Sequence, residues 1–137
     1  FNAKNEMTDA VFCNEMLSIQ LKFNHGSIDV SRLIFTVGIK DQTDELIAFF
    51  SSDEMGFALN GTSNTIVLTI PQLGLRPGEY SIWLFASYNS TAPSDFCDVV
   101  NNAAQLTVLP VDFWKTGKMI RSKNAAFLDG GFLQAGA

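Results

Sequence analysis

Apolar and polar residues alternate along several short stretches of this chain, and this period of two limits the fold more than any other feature. Residues 17–23 alternate Leu, Ile, Leu and Phe with Ser, Gln and Lys, and residues 33–40 and 66–70 repeat the pattern. Such alternation is typical of strands with one face in a core, because successive side chains of a strand point to opposite faces. No stretch of a dozen residues keeps an apolar stripe at helical spacing, although residues 98–104 suit one short helical turn. The sequence therefore predicts an all-β chain.

The turns between these stretches indicate how the strands are arranged. Polar residues 41–45 separate two apolar stretches and predict a hairpin, and all four prolines lie from Pro71 onward, at turns or strand ends. In residues 75–80 a Pro-Gly pair precedes Tyr80, as at the corner that leads into a long central strand of many immunoglobulin-like domains. We expect that strand over residues 79–89. The expected fold is an immunoglobulin-like antiparallel β-sandwich of roughly seven to nine strands.

Length and charge exclude several classes of protein. The chain has 137 residues, with 9 Lys and Arg against 14 Asp and Glu, which gives a net charge of −5. Residues 1–137 are expected to form a single domain, since this is an ordinary domain length. An acidic chain lacks the basic surface that binds nucleic acid, and its apolar runs, such as residues 46–50, are too short for membrane insertion. The chain begins with Phe1 and shows no leader, so we expect it to be a piece of a longer protein.

Motifs of catalysis and metal binding are missing from the sequence. There is no phosphate-binding G-x-x-x-x-G-K-[ST] loop, so this fragment is not expected to be an ATPase. Cys13 and Cys97 are far apart and form no C-x-x-C pair, and we expect both to be buried, reduced thiols. His25 lies in Asn-His-Gly and is interpreted as a turn residue, and the acidic residues 41–45 lack the spacing of a calcium loop. The sequence predicts no catalytic residue, metal or cofactor, but leaves a carboxylate-based hydrolase open, because carboxylate separation depends on the fold.

The long strand expected over residues 79–89 carries the one functional hypothesis that comes from the residues themselves. If Tyr80, Ile82 and Leu84 face the core, Trp83 and Phe85 stand on the other face among small polar residues. Flat rings beside hydroxyl and amide groups suit a sugar; the alternative is that the chain's tail or a partner subunit covers them. The candidate carbohydrate-binding residues, assigned to one side by alternation, are Trp83 and Phe85 as a platform, Ser87, Gln105 and Thr36 as hydrogen-bonding groups, and Lys40 for an acidic terminal group.

The tail, residues 114–137, differs in composition from the rest of the chain. Four of the nine basic residues lie in residues 115–123 without an acidic residue, and four of the ten glycines lie in residues 117–136. Phe127, Leu128, Phe132 and Leu133 need burial. We therefore expect the tail to dock on its own sheet or on that of a neighbouring chain.

Three segments in a fixed order carry a resemblance to a known family. They are residues 69–80 (TIPQLGLRPGEY), 98–104 (DVVNNAA) and 106–118 (LTVLPVDFWKTGK). The order of corner, Asp-led turn, final strand and Asp-Phe-aromatic-x-x-Gly-Lys resembles the C-terminal domain of Wzt-type nucleotide-binding subunits of O-antigen ABC transporters. The resemblance covers nearly the whole chain.

This resemblance implies a function, partners and a location. The family domain recognises the non-reducing end of a lipid-linked O-antigen polysaccharide, at the cytoplasmic face of the bacterial inner membrane. It forms a homodimer by exchanging a C-terminal strand, for which residues 127–133 are the candidate here. The ATPase domain would precede Phe1, outside this fragment, and would link the chain to the transmembrane subunit of the transporter. The family offers no sugar-contacting residue that can be carried over.

Three functions of different classes therefore remain in competition. The leading one is a non-catalytic glycan-recognition domain. The alternative is an immunoglobulin-like protein-interaction or adhesion module without a glycan site, and the third is a glycan-processing enzyme. A β-sandwich fold by itself does not separate them.

Overall fold

Seven strands form two sheets in the computed structural model, which describes residues 1–24, 29–59, 64–90, 96–111, 115–118 and 131–135. The strands are β1 Ala10–Phe12, β2 Leu17–Lys22, β3 Leu33–Lys40, β4 Leu46–Ser51, β5 Thr65–Ile70, β6 Gly78–Tyr88 and β7 Phe96–Leu109. The larger sheet has the order β1-β7-β6-β3-β4 and the smaller one is the pair β2-β5. A short 3-10 turn at Val30–Arg32 precedes β3.

This arrangement confirms the all-β sandwich that the alternating pattern predicts. The antiparallel expectation holds for every strand pair of the described residues except one, since β1 runs parallel to β7. The short strand β1 was not expected from the sequence. With only three residues it is too short to show an alternating pattern. The larger sheet is therefore mixed.

The inner faces of the two sheets share one hydrophobic core. Phe23, which follows β2, packs against Phe35 of β3 with ring centroids 4.9 Å apart. Strand β3 is buried on both faces, whereas the alternating pattern predicts only one buried face; its sequence LIFTVGI is nearly continuously apolar, as is typical of strands buried on both faces. The core includes Leu17 and Leu21 of β2, Ile70 of β5, and Val11, Phe35, Val37, Ile39, Ile82, Leu106 and Val108 of the larger sheet.

The helical turn expected at residues 98–104 is wrong, because these residues belong to β7. Strand β7 has 14 residues and pairs with β6 at both ends, with Phe96 opposite Ser87 and Val108 opposite Gly78. The register of this pair shifts between Ile82, which is opposite Ala104, and Leu84, which is opposite Val100. Pairing with a long neighbouring strand outweighs the weak local preference for a turn.

Cys13 lies in the core as a free thiol. Burial raises the pKa of this thiol more than the nearby positive charge of Arg76 lowers it. The neutral form is therefore favoured, and the burial expected for Cys13 is confirmed. The side chain of Cys97 lies outside the described residues, so its reduced state stays a prediction.

The corner before β6 forms as its sequence predicts. The hydroxyl of buried Tyr80 donates a 2.6 Å hydrogen bond to the backbone carbonyl of Arg76. Burial raises the pKa of Tyr80 above its usual 10.0, and the negative charge of Asp41 adds to the effect. This bond holds the start of the long strand in place.

Tyr80→Phe is expected to lower the free energy of unfolding by about 1 kcal/mol, because it removes this bond and keeps the ring. Urea denaturation of the 137-residue chain measures the change, with Tyr88→Phe at the other end of β6 as the control. The raised pKa of Tyr80 also makes stability depend on pH. The stability that comes from the neutral phenol is fully present below pH 10.0 and is lost as the pH rises through the folded-state pKa. Tyr80→Phe should not show this loss of stability at high pH. Equal stability of Tyr80→Phe and the parent chain would contradict the role of the corner bond.

Candidate functional site

The outer face of the larger sheet, turned away from β2 and β5, carries two aromatic side chains of β6. Trp83 and Phe85 are half-buried, and their ring centroids lie 4.8 Å apart with the planes tilted by 57°. Tyr80 and Ile82 instead point into the core. The structure thus places Trp83 and Phe85 together on the face where alternation puts them.

Gly38 of β3 makes room for the indole of Trp83. The two residues are cross-strand partners, and a β-carbon at Gly38 would lie 2.6 Å from Cε3 of Trp83. It would also lie 2.8 Å from Cδ1 of Leu46. A glycine inside a central strand usually weakens the strand, and often marks a close approach to the backbone. The indole therefore occupies the space that a side chain on β3 would fill.

Lys40 lies at one end of the aromatic pair. Its Nζ is 5.6 Å from the centroid of the Trp83 ring, within the range of a cation–π contact. The same Nζ is 3.4 Å from Oδ1 of Asp44, whose side chain is exposed. Ion pairs at exposed sites contribute little stability, so an anionic ligand would displace Asp44 at little cost. Lys40 thus sits beside the platform, as the sequence analysis predicts.

Gln105 lies on β7, directly opposite Ser81 of β6, and its side chain is exposed. Ser81 is in turn paired with Lys40 of β3. Lys40, Ser81 and Gln105 therefore form one row across three strands, next to Trp83. The structure brings four of the six candidate residues together on the outer face, with Gln105 exposed and the other three partly exposed: Trp83, Phe85, Lys40 and Gln105.

The other two candidates, Thr36 and Ser87, are buried. Their relative exposures are 3% and 0%, and neither hydroxyl oxygen has a hydrogen-bond partner among the described residues. Ile34 and Ser51 on the same side are also buried. This is a correction: alternation assigns a side chain to one side of a sheet but does not show that this side is open. Thr36 and Ser87 are not available to a sugar resting on the surface.

Two residues of β4 at the same surface were missed by the sequence analysis. Phe49 is 53% exposed and pairs with Gly38, and Leu46 is 48% exposed and pairs with Lys40. The adjacent residues Phe49 and Phe50 could have indicated an aromatic ring on the outer face, because successive side chains of a strand point to opposite faces. The position of Leu46 depends on a register shift between Ile39 and Lys40, which the sequence does not reveal.

The outer face offers stacking surfaces, one ammonium group and one amide. Among the described residues, no three His, Cys, Asp or Glu side chains lie close enough together to hold a metal ion. The described part of the chain contains no helix with the length and apolarity needed to cross a membrane.

Comparisons with known proteins identify the family. The family model for the Wzt C-terminal domain matches residues 1–124. A solved structure described as the crystal structure of the C-terminal domain of wzt has a TM-score of 0.70 and 12% sequence identity, and the match covers 98% of this chain and 79% of that one. At this identity the likeness supports the fold alone. A search of curated proteins found no match. Because the family model covers most of the sequence, the chain belongs to the Wzt C-terminal domain family.

Proposed function

We propose that this domain binds the non-reducing end of a lipid-linked O-antigen polysaccharide without catalysing a reaction, and so gives an ABC exporter its substrate specificity. Family membership supports a role in an O-antigen transporter. The observation that carries the glycan proposal is the placement of Trp83 and Phe85. These large aromatic residues lie outside the core, side by side and half-buried on the outer face of the larger sheet.

The chemistry of this face matches that of a sugar. The C–H face of a sugar ring packs on an aromatic ring, while its hydroxyls need hydrogen bonds to polar groups. Trp83 and Phe85 supply the rings, and Lys40 and Gln105 supply donors and an acceptor at the edge. Such a shallow site competes with water for every hydroxyl, so we expect a Kd of roughly 1 μM to 1 mM.

The proposed location and partners follow from the same role. A domain that reads a finished polymer before export has to meet it at the cytoplasmic face of the inner membrane. The longer protein would join this domain to an ATPase domain, and through it to the transmembrane subunit of the transporter. Lys40 would meet an acidic terminal group of the glycan.

The alternative function, a protein-interaction or adhesion module, is supported by a different surface. An apolar cavity of about 290 Å³ opens between β4 and β5, lined in part by Phe35, Phe50 and Leu68. Met55, Phe57 and Val67 at this cavity are exposed. A partner protein that inserts an apolar side chain would fit here.

Calorimetric titration of the 137-residue chain separates these functions. The titrants are the purified O-polysaccharide of the bacterium that encodes the chain and unrelated O-polysaccharides. The proposal predicts saturable binding of the matched polymer alone, with its length and end groups unchanged after incubation. Shortened chains or altered end groups would indicate a glycan-processing enzyme. Absence of binding to the matched polymer would favour the protein-interaction module.

A homodimer is part of the proposal, and the described end of the tail supports it. Phe132 and Leu133 are fully exposed, with relative exposures of 110% and 96%. Strand β2 pairs only with β5 in the described residues, and grooves of about 660 and 620 Å³ lie along it. The backbone of Phe1 already forms two hydrogen bonds with Ser18 at the outer edge of β2. A strand from a second chain would pair with the rest of this edge and lie in a groove lined by both apolar and polar residues. Phe127 and Leu128 lie outside the described residues.

Truncation after Thr116 is expected to convert the dimer into a monomer, because it removes the apolar residues of the tail. Light scattering at micromolar concentration should report twice the mass of one chain for the full sequence and once the mass for the truncated chain. A matched control replaces the exposed residues Met55 and Phe57 with Ser, which should leave the dimer intact. A monomeric full-length chain would contradict the exchange.

A further inference from the structure

We infer that the glycan site extends onto β4, where Phe49 and Leu46 form a second sugar-binding position, so that the site takes a run of two or three sugar residues across the strands. This inference rests on the proposed function. Phe49 and Leu46 lie on β4, so the alternating pattern of β6 gives no information about them. The ligand class is an oligosaccharide segment that ends in the terminal sugar, rather than that sugar alone.

The strand register places the two positions in one row. Phe49 of β4 is opposite Gly38 of β3, which is opposite Trp83 of β6. Since Gly38 has no side chain, the row itself contributes only the two aromatic rings, and the Leu46 side chain from the neighbouring row reaches over the glycine. In the next row, Phe85 of β6 is opposite Val99 of β7, whose side chain is exposed. The apolar strip therefore crosses from β4 to β7.

The gap above Gly38 is closed by groups from both sides. Cε3 of Trp83 and Cδ1 of Leu46 lie 2.6 and 2.8 Å from the position that a β-carbon of Gly38 would take. The indole from β6 and the Leu46 side chain from β4 thus converge on one point. They form a continuous surface rather than two separate patches.

The strip is too long for a single sugar ring. Two strand spacings separate β4 from β6, which is about 10 Å. One ring stacked on Trp83 would leave Phe49 in water, with about half of its surface exposed. A second sugar residue along the strip would cover it.

A sugar chain fits this strip better than a second copy of the protein. Phe49 and Leu46 are each about half exposed, and together supply a small part of the roughly 800 Å² per partner of a stable protein interface. The pair of Lys40 and Asp44 lies at one end of the strip and adds charged groups that suit hydroxyls. The strip is also continuous with the proposed platform at Trp83.

Calorimetry with fragments of increasing length tests this extension. The probes come from the O-polysaccharide of the bacterium that encodes the chain: the methyl glycoside of the terminal sugar, and fragments of two and three residues that keep the non-reducing end. Phe49→Ala is expected to weaken binding of the longer fragments by about tenfold, or 1.4 kcal/mol, and to leave the methyl glycoside unaffected. Trp83→Ala should weaken all three. If Phe49→Ala does not fold by circular dichroism, Phe49→Thr replaces it, because a β-branched residue suits an edge strand.

The outcomes separate this inference from the proposed function. If Trp83→Ala weakens binding while Phe49→Ala changes no fragment, the extension is wrong and the proposed function stands. If Trp83→Ala changes nothing, the proposed function fails on this face. If Phe49→Ala leaves binding intact but halves the mass in light scattering, a second copy of the chain occupies the strip, and the inference is overturned.

Discussion

Trp83→Ala is expected to weaken binding of the matched O-polysaccharide by roughly 10- to 100-fold, or about 1.4–2.7 kcal/mol. The substitution removes the larger of the two stacking surfaces. It also removes the ring that packs against Phe85 at 4.8 Å and the ring beneath Lys40. Because a shallow site depends on few contacts, one aromatic residue carries a large share of the affinity. Isothermal titration calorimetry with the parent chain and the variant measures the loss.

Phe12→Ala is the matched control for this measurement. Phe12 is also an exposed aromatic residue of the larger sheet, but it lies on β1 and is paired with Leu109, away from the platform. Circular dichroism should show that both variants keep the fold. Equal losses in the two variants would show a nonspecific effect, and unchanged affinity in Trp83→Ala would place the glycan elsewhere.

Gly38→Ala is expected to reduce both stability and binding. The added β-carbon would lie 2.6 Å from Cε3 of Trp83 and 2.8 Å from Cδ1 of Leu46, closer than packed carbon atoms come. Leu46 can rotate away, but the indole also contacts Phe85 and has to shift as a rigid ring. We expect a loss of about 1–3 kcal/mol in the free energy of unfolding, as for other overpacked sites. Displacement of the indole should weaken glycan binding about tenfold or more.

Gly78→Ala, at the start of the same β6 strand as Trp83, provides the control. A β-carbon at Gly78 would meet its nearest atoms, on the ring of Tyr80, at 3.8 Å, an ordinary contact distance. This variant should be neutral, or more stable by up to about 1 kcal/mol, because alanine restricts the unfolded chain. Urea denaturation and calorimetry measure both effects. A Gly38→Ala variant that matches Gly78→Ala in stability and in affinity would contradict the packing of Trp83 over Gly38.

The fold was predictable where apolar residues recur at every second position of a strand. The alternation in residues 17–23, 33–40 and 66–70 corresponds to strands β2, β3 and β5. The turn residues before Tyr80 correctly indicated the corner of β6. Strand β7 was underestimated, because residues 98–104 are extended only through pairing with β6. Long-range pairing of this kind leaves little trace in a local pattern.

The candidate site was predictable only in part, for a related reason. Alternation within β6 is a local property, and it placed Trp83 and Phe85 correctly on one face. The burial of Thr36 and Ser87 depends on what covers the outer face, which no single strand specifies. The position of Phe49 beside Trp83 depends on the register of three strands and on the missing side chain of Gly38. The sequence therefore indicated the face, and the strand register determines which side chains lie side by side on it.

The most direct test of a glycan site on the outer face follows the indole N–H of Trp83 by two-dimensional NMR during titration with O-polysaccharide fragments. The chain has only two tryptophans, Trp83 and Trp114, so a Trp83→Phe variant assigns the two indole resonances. We predict a saturable shift of the Trp83 resonance with fragments of the matched polysaccharide, and no shift with unrelated ones. Saturable binding of the matched fragments that leaves the Trp83 resonance unmoved would contradict the assignment of the site to this face.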